Sequence, residues 1–399
     1  MTISRRAVGI GLLATSAAVT AGVVITRSNP QLLGAVGLRE QVNLRGFIGG
    51  EKEALMANPQ LLDLLRRSQG ITPESIVAGS VEQCREPALL RQEPKFLWPA
   101  SEVLVDLAKA SGVAVRRDAV VLRSPIVFYS WEPIATALVA SGYAQVDRGI
   151  TFVDTDRIIA ALVANRTWAE LGVSQLSGHA RIKSTDPGRS SSGLHFAGMV
   201  ANSLCGDVAT AQALAPHRPD IVSVFARMGY KTHSSAKLFE DYLAGGMGGT
   251  PIAVGYENQL VEWILQDPAR WQSVQGSAPQ RPVTLYPRPT VFSTHAFMSL
   301  SADADRMLTA LSTPQAQSIA WRDHGFRSSL GAAGAETNAA VAGRMPTSLT
   351  QVLPLPEASV LLSILDDVAG RTVVGTASRA AEPTDAADPE RAHDAASIN

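Results

Sequence analysis

Charge is scarce in this sequence. Of 399 residues, 18% are charged, and 35 Lys and Arg set against 36 Asp and Glu leave a formal net charge of -1. Nucleic-acid binding usually calls for a basic face. The six Trp and ten Phe are scattered, not interleaved with basic residues, so no nucleic-acid partner is expected. Cysteine is scarcer still, with only Cys84 and Cys205. Neither lies near the apolar N-terminus, which excludes lipid attachment of the bacterial lipoprotein kind. An exported chain permits a Cys84–Cys205 disulfide, but two cysteines so far apart read more simply as separate small buried residues. The seven histidines (179, 195, 217, 233, 295, 324 and 393) contain no H-E-x-x-H or paired ligand spacing, so no metal is implied. Asp303 and Asp305 lack the Gly and terminal Glu of a calcium loop. No phosphate loop occurs, and "GRSSSG" is no nucleophile elbow because Ser192 stands where the second Gly is needed. The Gly-rich run Gly245–Thr250 precedes a strand, whereas a dinucleotide loop follows one. No catalytic set assembles, and neither an enzyme nor a cofactor is expected.

What is present begins at the N-terminus. Residues 7–26 carry no charge and follow Arg5 and Arg6. A run of about 20 apolar residues is long enough to span a bilayer, and the flanking arginines keep the start cytoplasmic. A cleaved export signal has the same layout, with "AVTA" before Gly22 as its cleavage site. Anchor and signal remain alternatives, and both place the rest of the chain outside the cytoplasm. The other end, "AEPTDAADPERAHDAASIN", has almost nothing large to bury and reads as a disordered tail. Between the two lies more chain than one hydrophobic core usually serves.

There, short β-branched runs alternate with helical patterns. "QVNLRGFIG", "SIVAG", "VAVRRDAVVLRSPIVFYS", "HARIKSTD", "PIAVGYE" and "RPVTLYP" read as strands. "EKEALMANPQLLDLLRRS", "EPIATALVAS", "DTDRIIAALVANRTWAEL" and "NQLVEWILQ" read as helices. Such alternation predicts an α/β fold with largely parallel sheets. Ligands of open α/β sheets sit beyond the carboxyl ends of strands. Three strand-to-helix junctions there are rich in small polar residues: "FIGGEKEA", "VFYSWEP" and "STDPGRSSSG". Helix-start amides bind anions or polar oxygens, and one serine suffices to cap a helix, so three in a row at 190–192 ask for a further role.

In order along the chain, "FIGGEKEA", "FLWPASEVLVDLA", "SPIVFYSWEPIATAL", "TWAELG", "IKSTDPGRSSSGL", "VGYENQLVEW" and "GFRSS" resemble bacterial extracellular solute-binding proteins of the type II periplasmic-binding fold. The nearest group is the one whose solute-binding domain sometimes precedes a von Willebrand factor A domain. The resemblance covers about residues 40–330. It implies two lobes joined by two hinge crossings, near Phe128–Trp131 and Gly255–Glu257. Lobe I would hold 38–129 and 256–372 and lobe II 130–255, after a head at 1–37 and before a tail at 373–399. By the family pattern the ligand-binding positions are Gly50, Glu51, Lys52, Ser130, Trp131, Thr185, Asp186, the serines Ser190, Ser191 and Ser192, and Tyr256 with Glu257. Three departures stand out. Gly50 replaces the usual serine, "GFRS" replaces "GFRP", and no D-x-S-x-S pattern follows to mark a von Willebrand domain. The function implied is non-catalytic capture of a small polar or anionic solute, for ABC-type uptake through a permease or for sensing. The opposed helix starts with serines, Lys52 and Arg189 favour an anionic or hydroxylated ligand, such as an oxyanion or a sugar-like molecule; Glu51, Asp186 and Glu257 argue the other way, and the charge of the ligand stays open. The alternative is a membrane-anchored binding or scaffold module of the cell envelope with no transport role.

Overall fold

A computed structural model of the chain describes residues 40–229, 231–276, 281–329, 341, 343 and 345–370. The apolar head at 7–26, expected as an N-terminal helix, and the expected tail at 373–399 lie outside the described residues. Among the described residues no helix is long and apolar enough to cross a membrane.

Strand β1 (Val42–Ile48) pairs in parallel with β2 (Ile71–Val77) and β3 (Phe96–Trp98). The single helix expected between β1 and β2 is broken. A short turn of helix over Gly50–Met56 stops, Asn58 accepts from Gln60 N and Leu61 N, and Pro59 opens α1 (Pro59–Gln69). Proline at a first helical position suits a start and prevents continuation. Leu61 and Leu65 bury the inner face of α1, and Gly70 ends it at φ 69°. Helices α2 (Ser80–Arg85) and α3 (Val103–Ala110) follow β2 and β3.

Strand β4 (Arg117–Trp131) is one run of 15 residues, with a shift of register between Val120 and Leu122, inside the segment expected as strand. Its first part, to Pro125, pairs antiparallel with β9 (Phe292–Ser299). From Ile126 onward it pairs with β7 (Ala253–Tyr256) and β8 (Pro282–Arg288). One strand therefore serves two sheets. The first runs β2-β1-β3-β9-β4, and the second adds β6 (Ile150–Asp154) and β5 (Ala144–Asp147) beyond β8.

The chain passes from first sheet to second between Pro125 and Ile126, slightly before the expected Phe128–Trp131. It returns between Arg288 and Phe292, not at Gly255–Glu257, because β8 still belongs to the second sheet. Pro287 and Pro289 lack the N–H that would extend a ladder there. The two passages touch, since Thr290 Oγ1 donates to Ile126 O at 3.0 Å.

The expected strand "HARIKSTD" makes only isolated bridges, Thr167 with His179 and Lys183 with Ala253. Helix α4 (Glu132–Ala140) follows β4. Helix α5 (Thr155–Val163) starts where Asp154 accepts from Arg157 N at 3.0 Å, but ends well before the expected Leu171. Helices α6 (Ser191–Cys205), α7 (Arg218–Ala226) and α8 (Ser235–Gly249) belong to the second half, α10 (Ala302–Leu311) and α11 (Pro314–His324) to the first, and α9 (Glu257–Gln266) packs against both, on α11 as well as on β4 and β7. The segment past 345 lay beyond the resemblance. It bonds the return passage through Thr290 N to Gln351 O and Leu353 N to Thr290 O, and its helix α12 (Ala358–Val368) covers α6 and α7. Cys84 is buried, Cys205 half-buried, and both thiols are free.

Candidate ligand cleft

Because β1 and β2 are parallel, their carboxyl ends open on the same side of the first sheet. The turn Gly49–Glu51 after β1 and the turn Val77–Ser80 after β2 form one wall of a cleft. Arg189 and Ser190 before α6, and His233–Ser235 before α8, form the other wall. The space between measures about 370 Å³, with Glu82, Glu86 and Leu89 at its side. The walls touch along one seam. Val81 N donates to Arg189 O at 3.0 Å, Arg85 donates to Gly188 O at 3.1 Å, and Arg189 Nε meets Glu82 Oε1 at 2.5 Å.

Two carboxylates in this cleft depend on glycines. A Cβ on Gly49 would stand 2.4 Å from Glu51 Oε1 and 2.6 Å from its Oε2. A Cβ on Gly79 would stand 2.5 Å from Glu82 Oε2 and 2.4 Å from Arg189 O. In both turns the acid folds back over a bare Cα, so glycine is required for close approach and not for backbone conformation. Gly49 sits at φ -71° and ψ 148°, open to any residue.

Beneath the cleft the polar groups continue inward. Lys52 is fully buried; its Nζ bonds Glu51 Oε1 and lies 3.1 Å from His295 Nδ1 and 5.7 Å from the centre of the Trp98 ring. On the far side of the imidazole, His295 Nε2 lies 3.1 Å from Ser293 Oγ, and that hydroxyl donates to Ala100 O at 2.6 Å. A hydroxyl has one proton to give. Ser293 therefore accepts from His295 Nε2–H, which leaves Nδ1 as the acceptor facing the Lys52 ammonium. The electrostatics agree. Burial and then the Lys52 charge push His295 down to about 4, against Glu51. Burial raises the Glu51 carboxyl, but Lys52 and His295 outweigh it and hold that group well below the usual carboxylate range. Burial also lowers the Lys52 ammonium, against the opposing pull of Glu51.

The second half of the molecule meets this cluster through Tyr256 at the end of β7, whose ring centre is 5.8 Å from that of His295. The Tyr256 hydroxyl is within hydrogen-bonding reach of Ser192 and Ser293. Ser192 Oγ lies 2.7 Å from Thr185 Oγ1 and 3.4 Å from Ser190 Oγ. Ser190 is the residue before α6, yet its side chain makes no capping bond, so the expectation that one of the three serines serves as a cap is not met. Ser191 Oγ is buried without a hydrogen-bond partner among the described residues. His195, one turn on, faces Ser191 O through Nδ1, and burial pushes it down to about 4 against that carbonyl.

Of the positions singled out from the sequence, Gly50, Glu51, Lys52, Thr185, Ser190, Ser192 and Tyr256 thus meet at the cleft or directly beneath it. Four others are engaged elsewhere. Ser130 Oγ donates to Pro251 O at 3.0 Å. Trp131 Nε1 donates to Thr250 O at 2.9 Å, with its ring on Tyr242. Asp186 Oδ1 closes a turn by accepting from Gly188 N at 2.8 Å. Glu257 receives Arg327 at 2.7 and 2.9 Å and the Tyr286 hydroxyl at 2.7 Å. Glu257 also lines a separate cavity of about 520 Å³ that shares no residue with the cleft. It is walled mainly by apolar side chains such as Ile150, Leu260, Val261 and Ile264.

Sequence reasoning missed His295, Ser293, Glu82 and Ser234. For the first two a signal existed: in β9, Ser293, His295 and Phe297 alternate on one face of a strand with no exposed position, which marks polar residues turned inward. On ligand charge, which the sequence leaves open, the lining places Glu51, Glu82 and Glu86 in the cleft with Arg189 as the one Lys or Arg.

No family model matches the chain, and no curated protein matches its sequence. Solved structures do match in three dimensions. The sulfate-binding protein SubI from Mycobacterium tuberculosis is 13% identical with a TM-score of 0.50, over 83% of this chain and 96% of that one. The substrate-binding protein of an ABC transporter from Agrobacterium tumefaciens is 13% identical with a TM-score of 0.53, over 84% and 94%. Iron-bound HitA from Pseudomonas aeruginosa is 10% identical with a TM-score of 0.51, over 82% and 99%. At such identities the likeness is one of fold, and the fold is the mixed α/β fold of ABC-type solute-binding proteins.

Proposed function

We propose that this chain is an extracytoplasmic, non-catalytic solute-binding protein that holds a small polar solute in the cleft between two lobes, for ABC-type uptake or sensing. The lobes divide where β4 passes between sheets and where Pro289–Val291 returns, so that β8 goes with the second lobe. A boundary at 256 would have placed it in the first. Residues 7–26 would export the chain or hold it at the membrane.

The observation that carries this reading is the cleft itself. It is bounded by two turns of the first sheet and two helix starts from the second half, and its volume suits a small molecule. The departure at Gly50 does not leave the site without a hydroxyl. Ser234 Oγ stands 3.5 Å from where a side chain at 50 would begin, so the opposite wall presents a hydroxyl at the same place. The fold of SubI and of the Agrobacterium protein, whose names record solute binding, supports the same conclusion.

A thermal-shift screen of small solutes tests it. A ligand at a hundred times its dissociation constant adds about 2.7 kcal/mol to stability. A screen of sugars, amines, amino acids and oxyanions in which no compound raises the Tm would overturn the proposal.

A further inference from the structure

The cleft's polar groups are unequal in what they still have to offer, and this narrows the class of solute. The inference rests on the cleft being the solute site. Glu51 is 5% exposed and lines the cleft. Its Oε1 takes Lys52, whereas Oε2 has no hydrogen-bond partner among the described residues. The carboxylate is fixed: Gly49 leaves the space it fills, and Lys52 holds its other oxygen. On the neighbouring turn Glu82 is seated over Gly79 in the same way, and Glu86 stands exposed at the edge.

The cations are already spent. Lys52 lies behind the cleft, fully buried, and is not part of its lining. Arg189, the one Lys or Arg among the lining residues, is bound to Glu82. An entering oxyanion would meet carboxylates in the first wall with no unclaimed positive side chain to offset them. A group that donates hydrogen bonds and carries positive charge would meet a pre-formed acceptor. Arg189 illustrates the fit, because its guanidinium from the second wall already occupies the carboxylate of Glu82 in the first.

We propose that the cleft selects a small solute bearing a protonated amine or guanidinium, received by Glu51 Oε2, and discriminates against oxyanions such as sulfate. Hydroxyls of Ser190, Ser234 and Ser235 on the opposite wall accept or donate to the remainder of the solute.

Calorimetric titration of the full-length protein at neutral pH and low salt tests this with five probes: putrescine, agmatine, ethanolamine, sodium sulfate and glucose. At least one of the three amines should bind, and sulfate and glucose should not. Glu51→Gln alone strands the Lys52 ammonium and endangers folding. The informative variant is therefore Glu51→Gln combined with Lys52→Met, which removes the carboxylate and its buried partner together. In that variant the amine's Kd should rise by about tenfold or more, the loss of one charge-assisted hydrogen bond, while Glu86→Gln should weaken it less. Sulfate or glucose binding with the amines silent, or sulfate binding as tightly as any amine, overturns the class while sustaining solute capture. Silence of all five probes at millimolar concentration overturns the class and counts against solute capture. Amine affinity unchanged in the double variant overturns the role of Glu51.

Discussion

Replacing Gly49 by Ala separates what the backbone needs from what the buried acid needs. The conformation at 49 suits alanine, and a Gly→Ala change at a compatible position stabilises by about 0.4–1 kcal/mol through the unfolded state. The new methyl, however, falls 2.4 Å from Glu51 Oε1 and 2.6 Å from Oε2. The carboxylate is the end of a flexible side chain, so it can swing away at little steric cost. What it leaves behind is the Lys52 ammonium, fully buried, with a neutral imidazole 3.1 Å away and no other anion against it among the described residues. The cost therefore lies between about 2 kcal/mol for one lost charge-assisted hydrogen bond and about 3–5 kcal/mol for a broken buried pair.

Gly50 is the matched control. A Cβ there meets Ser234 Oγ at 3.5 Å and Ala236 Cβ at 3.6 Å, ordinary contact distances. Gly50→Ala should be neutral or slightly stabilising. Denaturant melts of both variants should show Gly49→Ala less stable than Gly50→Ala by at least about 2 kcal/mol. Equal midpoints would show that the carboxylate does not depend on the bare Cα, and the account of the cleft floor would fail with it.

Three further outcomes can be measured. His195 and His295 sit at about 4 in the fold against an ordinary 6.5. Depressed histidines contribute stability above pH 6.5 that is lost as pH falls towards 4. Between pH 6.5 and 5 each should cost about 2 kcal/mol, and His195→Gln should flatten a plot of Tm against pH over that window; an unchanged slope would refute it. Among the serines, Ser192→Ala should lower stability by about 1–2 kcal/mol because its hydroxyl binds Thr185. Ser191→Ala, which removes a buried hydroxyl with no partner, should be neutral or stabilising in the same melts, and a loss equal to that of Ser192→Ala would contradict the assignment. Arg189→Ala removes the half-exposed ion pair with Glu82 across the seam, which contributes about 0–1 kcal/mol, so its denaturant midpoint should stay close to that of the parent chain, and a loss above about 2 kcal/mol would contradict this reading of the seam.

The α/β alternation and the turns at 49–52 and 189–192 were legible because they depend on local pattern: apolar runs, Gly-Gly after a strand, serines before a helix. What escaped was set by long-range pairing. Nothing local distinguishes Ser130, which bonds Pro251 O, from a hydroxyl free to meet a ligand. Glu257 sits at a helix start as a binding acid would, but its partner Arg327 lies seventy residues away. His295 came from a strand whose alternation was readable, yet its role appears only once β9 is placed beside β3 and β4, between Trp98 and Lys52. The return passage was misplaced for the same reason: only strand pairing shows that β8 belongs to the second sheet.

The seam also bears on how a solute would enter. All three bonds between the walls run from residues 81–85 to residues 188–189, whereas the passages between sheets, at 125–126 and 289–291, lie on continuous chain braced by Thr290 and the segment at 351–353. Rotation about the passages can therefore part the walls without breaking a strand ladder. Two hydrogen bonds contribute about 1 kcal/mol each, and an ion pair with Arg189 half-exposed about 0–1 kcal/mol. The seam alone therefore holds the walls together by about 2–3 kcal/mol. A solute bonding both walls adds its own differential affinity to that of the seam in holding them shut.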